Sequence, residues 1–411
     1  MLCPALYWEQ IEKGKPMGIK LGICGVGSFA TSFIPLFKAH PAVDALTLCD
    51  LDAAKLQHQA AQFDITRTCP SLDELCQSDV DAIALFTQNT LHGPQAVQAL
   101  RAGKHVYSAV PSAIAMDEVA ELVKAVEETR NIYMIGETSY YYPCAIYCRE
   151  RFRKGDFGHV VYGEAEYYHD MDHGLYDVAK WRFGDDWKKF AGGPPMFYPT
   201  HSTSMIVSVT GAHATHVSCL GYVDRHEDNL YRAGVNIWDN TFSNETALCR
   251  MSDGSVARFN EFRRIAASGE RLRLYGTEGS YEEESGHRVW VGKHDGLHDL
   301  TQELSCRDVP AHEVIGNMAK IQDGTTHKSV STVHPVHELP REFINLPNGH
   351  NGSHQFLAHE FVTSCVNGTL PANNVWQAAR YLVPGLIAHE SAKRGGEMLA
   401  VPDLGDAPRD L

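Results

Sequence analysis

The chain has 411 residues, 44% hydrophobic and 21% charged, which is the balance of a globular protein with a substantial core and more length than one ordinary domain uses. Its formal net charge is −15, from 51 acidic and 36 basic side chains. A polyanion meets net repulsion, and the richest basic stretch, Arg149–Lys154, contains Glu150 and reads as a solvated helix face, so nucleic acid is not an expected partner.

The opening segment, MLCPALYWEQIEKGKPMG, holds no apolar stretch of signal-peptide length, and nothing later approaches the roughly 18 apolar residues of a membrane span. A cytoplasmic location away from membranes is the expectation. From Gly18 the pattern becomes regular. Ile19–Cys24 is a short β-rich run, followed by Gly25-Val26-Gly27-Ser28-Phe29-Ala30 and a helical stretch to about Ala39. Ala45–Cys49 is a second apolar run that ends at Asp50. A helix over Ala53–Gln62, a strand near Ile65–Thr68 and a short helix over Ser71–Gln77 follow, the last with Ser71 as N-cap and Glu74 at N3. Ala82–Phe86 suits a buried parallel strand; Pro94–Ala102 is helical, His105–Ser108 extended, Asp117–Thr129 helical and Tyr133–Ile135 extended. Strands alternating with helices predict a doubly wound parallel sheet, the Rossmann class, over residues 1–142.

The texture then changes. His159–His169, Thr215–Val223, Glu245–Met251, Ser255–Phe262 and Glu270–Tyr275 are strand candidates, several with period-two alternation, and they predict an open, mainly antiparallel sheet in an α/β domain over 143–411. Residues 286–347 show weak periodicity and read as loops or an insertion, and helices return at Ser353–Val366 and Val375–Ser391. Eleven cysteines are scattered without a paired CxxC framework and read as reduced, mostly buried thiols.

Gly25-x-Gly27-x-x-Ala30 follows a strand and opens a helix, the context in which this spacing binds a dinucleotide. Gly25 permits the tight turn, Gly27 lets backbone approach a pyrophosphate, and Ala30 keeps the helix close to the sheet, with Ser28 and Phe29 at the helix entry. Asp50, about 20 residues on at the end of the second strand, can accept hydrogen bonds from ribose hydroxyls and would repel a 2′-phosphate, which favours NAD over NADP.

Further residues carry a resemblance. Thr87-Gln88-Asn89-Thr90-Leu91-His92 is similar to the TPNxxH turn, and Ala102-Gly103-Lys104-His105-Val106 to the AGKHV strand entry, of the Gfo/Idh/MocA superfamily; Pro371 and Ala379–Ser391 look like its last helix. The resemblance implies an NAD-binding Rossmann domain, a substrate domain on an open sheet, a homo-oligomer, and cofactor contacts from Thr87, Asn89, His92 and Val110. Two landmarks are absent. The family's EKP triplet falls on Ala109-Val110-Pro111, putting Val110 where a lysine assists proton removal, and the aspartate four residues before the catalytic histidine falls on Phe197. In exchange, Tyr198-Pro199-Thr200-His201, with Trp181-Arg182 upstream, resembles the NAD-dependent glycosidases typified by α-N-acetylgalactosaminidase, although the string continues Ser202-Thr203-Ser204-Met205 instead of Gly-Leu-Gly-Pro.

That branch implies transient oxidation at C3 of a sugar or glycoside, loss of the aglycone from C1, hydration and re-reduction. His201, with an ordinary pKa near ~6.5, is the expected general base, and Tyr198 an acid/base or hydroxyl anchor. Glu137, at the end of a Rossmann strand, falls near the expected nicotinamide. Tyr140, Tyr142, His169 and Arg182 are candidate substrate contacts. For His169-Asp170-Met171-Asp172-His173, a divalent metal, substrate hydrogen bonding and a polar loop all stay open, and no metal is assigned. The competing readings are a conventional NAD-dependent sugar dehydrogenase and a non-catalytic nucleotide-binding regulator.

Overall fold

The computed structural model describes residues 18–311 and 324–408, without the side chains of Trp181 and Arg182. The first sheet contains β1 (Ile19–Cys24), β2 (Val43–Cys49), β3 (Arg67–Cys69), β4 (Ala82–Leu85), β5 (His105–Ser108) and β6 (Tyr133–Ile135), all parallel, in the order β3-β2-β1-β4-β5-β6. This is the dinucleotide-binding order, with the chain reversing direction of travel between β1 and β4. The run Ala82–Leu85 is wholly buried because helices cover both faces of a parallel sheet. Its helices are α1 (Ile34–Ala39), α2 (Ala53–Gln62), α3 (Leu72–Gln77), α4 (His92–Arg101) and α5 (Met116–Thr129). Ser71 caps α3 by accepting from the Glu74 backbone N–H, as the S-x-x-E spacing requires. One difference lies at the glycine loop: residues 30–32 form a 3₁₀ turn and the α-helix begins only at Ile34. Pro35 in the first turn cannot supply a backbone N–H to an earlier turn.

After α6 (Pro143–Lys154), the second sheet is built from β7 (Val160–His169), β8 (Ala214–Val223), β9 (Phe242–Met251), β10 (Val256–Phe262), β11 (Ser268–Gly276), β12 (Gly279–Glu284), β13 (His287–Gly292) and β14 (Gly296–Asp299). With Leu399–Ala400 on one edge it is nine-stranded among the described residues and antiparallel except where β7 lies beside β10. Its inner face packs on α9 (Thr200–Thr210), which follows α7 (Leu175–Phe183) and α8 (Trp187–Ala191). The region 286–347 is therefore not only loops: two strands widen the sheet, burying Trp290 at 1% exposure, and Arg307–Pro310 pairs with Thr326–Val330 as a separate hairpin. Its periodicity is weak because these are short outer strands with few buried positions.

The chain then returns to the first sheet. Val330, Val336, Leu339 and Phe343, with Phe356, Leu357 and Phe361 of α10 (His354–Asn367), pack against Phe33, Phe37 and Tyr107. The final long helix, α11 (Val375–Lys393), joins the core shared with α9 and the second sheet. Arg149 departs from the solvated-face expectation: it is 8% exposed, donates to the Tyr140 carbonyl and the Ser208 hydroxyl, and lies over the Tyr140 ring. These partners hold its guanidinium inside the fold, so the basic stretch divides into one buried arginine and exposed neighbours such as Lys154. Ten cysteines are described and all are unbridged. No described helix is long and apolar enough to cross a membrane.

Candidate active site

The cofactor-side residues collect at the carboxyl ends of the parallel strands. Gly25 has φ +86°, and a Cβ there would lie 2.8 Å from the Phe86 carbonyl, so the turn needs glycine. At Gly27 a Cβ would meet nothing within 4 Å: the backbone faces open space where a pyrophosphate can approach. Ser28 and Phe29 are exposed at the rim. Asp50 accepts from the Val26 N–H (3.0 Å), the Asp52 N–H (2.9 Å) and Lys55 Nζ (3.0 Å), so it both ties down the glycine loop and retains lone pairs for ribose hydroxyls. Asn89 is exposed after β4, and Thr87 donates to Gln95. His92 is committed to structure: both ring nitrogens meet backbone carbonyls, those of Pro111 (2.8 Å) and Thr87 (3.2 Å), so it braces the turn instead of facing the cleft. Val110 sits in the hydrophobic core, and its position supplies no proton-transfer group.

Glu137 ends the series, and it is fully buried. Its Oε1 accepts from the Ser139 N–H (2.9 Å), the Ser139 hydroxyl (2.8 Å) and His201 Nδ1 (2.7 Å), while Oε2 is buried without a partner. A dinucleotide fits this edge: the open approach at Gly27, the Asp50 carboxylate and the orphaned Oε2 are the acceptors and space its phosphates, ribose and carboxamide require.

His201, near the start of α9, is 4% exposed and has no protein partner at Nε2 among the described residues. Burial alone would lower its pKa, but the Glu137 carboxylate overrides that and raises it to about 9, while the same pairing holds Glu137 below the usual carboxylate range despite its burial. The two side chains therefore form an imidazolium–carboxylate pair. This corrects the expectation of an unperturbed imidazole.

Tyr198 and Tyr167 pack on that imidazole with ring centroids 5.4 and 5.1 Å away, and neither hydroxyl has a hydrogen-bond partner among the described residues. Burial pushes both phenols well up, so they are neutral donors and anchors at neutral pH, not bases. Tyr167 is the residue that sequence reading missed. It lies at an inward position of β7 that alternation marks for core, and only tertiary packing sets it beside His201 and under Arg263, whose guanidinium is 4.9 Å from its ring. Arg263 also donates to Glu261 and to the Pro195 carbonyl, and Ser202 donates to Glu261, tying the turn before α9 to β10.

In front of Tyr167 opens a cavity of about 620 Å³, walled by Tyr167, Tyr168, His169, Asp170, Glu270 and His350 among others. His169 is on the wall as expected, and burial and then the Arg263 charge hold its pKa below 6.5, leaving a neutral imidazole. Tyr140 and Tyr142 do not line it: the first ring is covered by Arg149, and the second is 2% exposed with its hydroxyl 3.2 Å from Thr138 Oγ1. Arg182 belongs to α7, and its side chain lies outside the described residues. The strand ends at His169, so His173 does not share its face; it pairs with Asp170 at 2.6 Å, and no group of three potential metal ligands exists among the described residues. His350, with φ +48°, links the cavity to the glycine loop, packing edge-on against Phe29 and 2.8 Å from His354.

The chain is 26% identical over 94% of its length, and 77% of the relative's, to a protein of Streptomyces niveus called glycosyl hydrolase family 109 protein. It is 28% identical to an alpha-N-acetylgalactosaminidase of Bacteroides fragilis over 47% of this chain and 49% of that one. A levoglucosan dehydrogenase solved with NADH and levoglucosan superimposes with a TM-score of 0.73 at 16% identity, covering 94% of this chain and all of that one, which supports the fold. Residues 19–137 match the oxidoreductase family with an NAD-binding Rossmann fold and residues 146–282 the GFO/IDH/MocA C-terminal domain, so the chain belongs to the GFO/IDH/MocA family.

Proposed function

We propose that the protein is an NAD-dependent glycosidase acting on a small glycoside by transient oxidation at C3, elimination, hydration and re-reduction. The observation that carries this reading is the buried Glu137–His201 pair with a free Nε2 at the Rossmann edge, together with a buried, apolar Val110 at the sequence position of the family's lysine. Relatives called glycosyl hydrolase family 109 proteins support it.

When bound, the coenzyme supplies a hydride acceptor and donor at C3 of the sugar. Glu137 and Asp50 would hold its two ends, and the Asp50 carboxylate would disfavour a 2′-phosphate, which favours NAD over NADP. His201 would act as an acceptor through Nε2 in its neutral form, which is favoured wherever added positive charge offsets the Glu137 carboxylate. His201 then takes the C3 hydroxyl proton and restores a positive charge beside Glu137. His169, already neutral, takes the acidified C2 proton. Tyr167 and Tyr198 donate to sugar hydroxyls and offer aromatic faces to the ring. Arg182 is proposed to orient sugar hydroxyls or an acidic substituent. Outward-facing Leu220, Tyr222 and Leu248 on adjacent strands support a homo-oligomer paired through the second sheet, and the unbridged thiols suit a reducing cytoplasm.

The test follows aglycone release and NADH absorbance together on a panel of nitrophenyl glycosides. Release without net NADH is the expected result. NADH accumulation on free sugars without release would establish a conventional dehydrogenase instead, and neither signal would leave a nucleotide-binding regulator. His201→Ala is expected to abolish turnover with coenzyme binding intact; unchanged rates in that variant would discard the site.

A further inference from the structure

The inner face of the second sheet carries a row of carboxyl groups that packing alone does not explain. Register places Glu245 beside Glu261, Glu261 beside Tyr167, and Tyr167 beside Glu270, across four adjacent strands. Such neighbours stand about 5 Å apart on one face. Inward strand positions are ordinarily apolar, and each buried carboxyl costs several kcal/mol unless it is paired. Two of the three are paired. Glu245 accepts from His389 Nδ1 (2.7 Å) and the Met196 N–H (2.9 Å), and Glu261 from Arg263 (2.9 Å) and Ser202 (2.5 Å).

Glu270 forms no salt bridge among the described residues and stands on the cavity wall, next to Tyr167. The other titratable groups around it are His201 of α9, Glu137 after β6, the Tyr142 hydroxyl before α6, Glu283 of β12, the Tyr167 and Tyr198 phenols and the Cys144 thiol. Burial raises its pKa most strongly, whereas Glu137 is held low by His201. Glu270 on the cavity wall and the fully buried Glu137, which interact electrostatically, thus shift in opposite directions, the arrangement that separates an acid from an anion.

We infer that Glu270 is the general acid that protonates the departing aglycone oxygen; this rests on the glycosidase reading. As the C2–H electron pair forms the C1–C2 double bond, the C1–O bond breaks toward the aglycone oxygen, which takes the Glu270 proton and leaves as an alcohol. In the return half, the Glu270 carboxylate removes a proton from water as the water oxygen bonds to C1, and C2 regains its proton from His169.

Glu270→Gln retains size and hydrogen bonding and removes the acid. With wild type and variant both loaded with NAD, rates on alkyl glycosides, whose leaving groups need protonation, are expected to fall on the order of 10²–10⁴-fold, and rates on dinitrophenyl glycosides by less than about 10-fold. An equal loss on both classes would overturn the assignment. A second readout is independent of turnover: the infrared difference between wild type and variant at neutral pH is expected to contain the carbonyl stretch of a neutral carboxyl group. A carboxylate signal there instead would overturn the acid role. Neutral Glu270 in a wild type that releases no aglycone would instead condemn the glycosidase reading and the acid role with it.

Discussion

Glu137→Gln isolates the central electrostatic claim, because it keeps the shape of the side chain and removes the charge that holds the His201 proton. The rise of His201 from 6.5 to about 9 corresponds to a preference for the imidazolium in the folded state on the order of 3 kcal/mol. A folded-state pKa above the unfolded one contributes stability that is fully present below about 6.5 and lost as pH rises through about 9. Wild-type unfolding free energy, from urea titrations, should therefore contain about 3 kcal/mol at about pH 6 that has largely disappeared by about pH 9. In the variant, burial still lowers the His201 pKa while Glu270 and Glu261 still raise it, so the pKa falls from its wild-type value and this pH-dependent component shrinks. The comparison is the wild-type difference between the two pH values minus the variant's. If both proteins lose the same stability over that interval, the pair is not an ion pair and the proton assignment is wrong.

Three other expectations concern the coenzyme site and the outer face of the second sheet. Binding of NAD near pH ~8 should release up to one proton, read by calorimetry in buffers of different ionisation enthalpy, and His201→Asn should remove that release. Gly27→Val should weaken NAD binding by at least about 10-fold with thermal stability nearly unchanged, because its side chain enters open space at the approach; Gly25→Ala should instead destabilise the fold by about 1 kcal/mol or more, because its Cβ meets the Phe86 backbone at positive φ. Leu220→Asp combined with Leu248→Glu should lower the mass measured by light scattering without loss of secondary structure, and an unchanged mass would place the oligomer contact elsewhere.

Local chemistry made much of this protein legible before its fold was known. Gly25, Gly27 and Asp50 follow strands at spacings that only one supersecondary unit uses, and short apolar runs such as Ala82–Leu85 announce strands buried on both faces. The replacement of lysine by Val110 and the string ending in His201 are one-dimensional facts as well. What sequence could not convey was the company each side chain keeps. The His201 charge depends on Glu137, 64 positions away, and intrinsic pKa values say nothing about such a neighbour. Tyr140 and Tyr142 were plausible sugar contacts until packing assigned one to Arg149 and the other to the interior. Tyr167, Glu261 and Glu270 sit at inward strand positions, where period-two reading anticipates core, and their polarity was the only available signal. Register across separate strands turned those three into a row and left one carboxyl facing the cavity, because pairing between strands is decided by the whole sheet and not by any single segment.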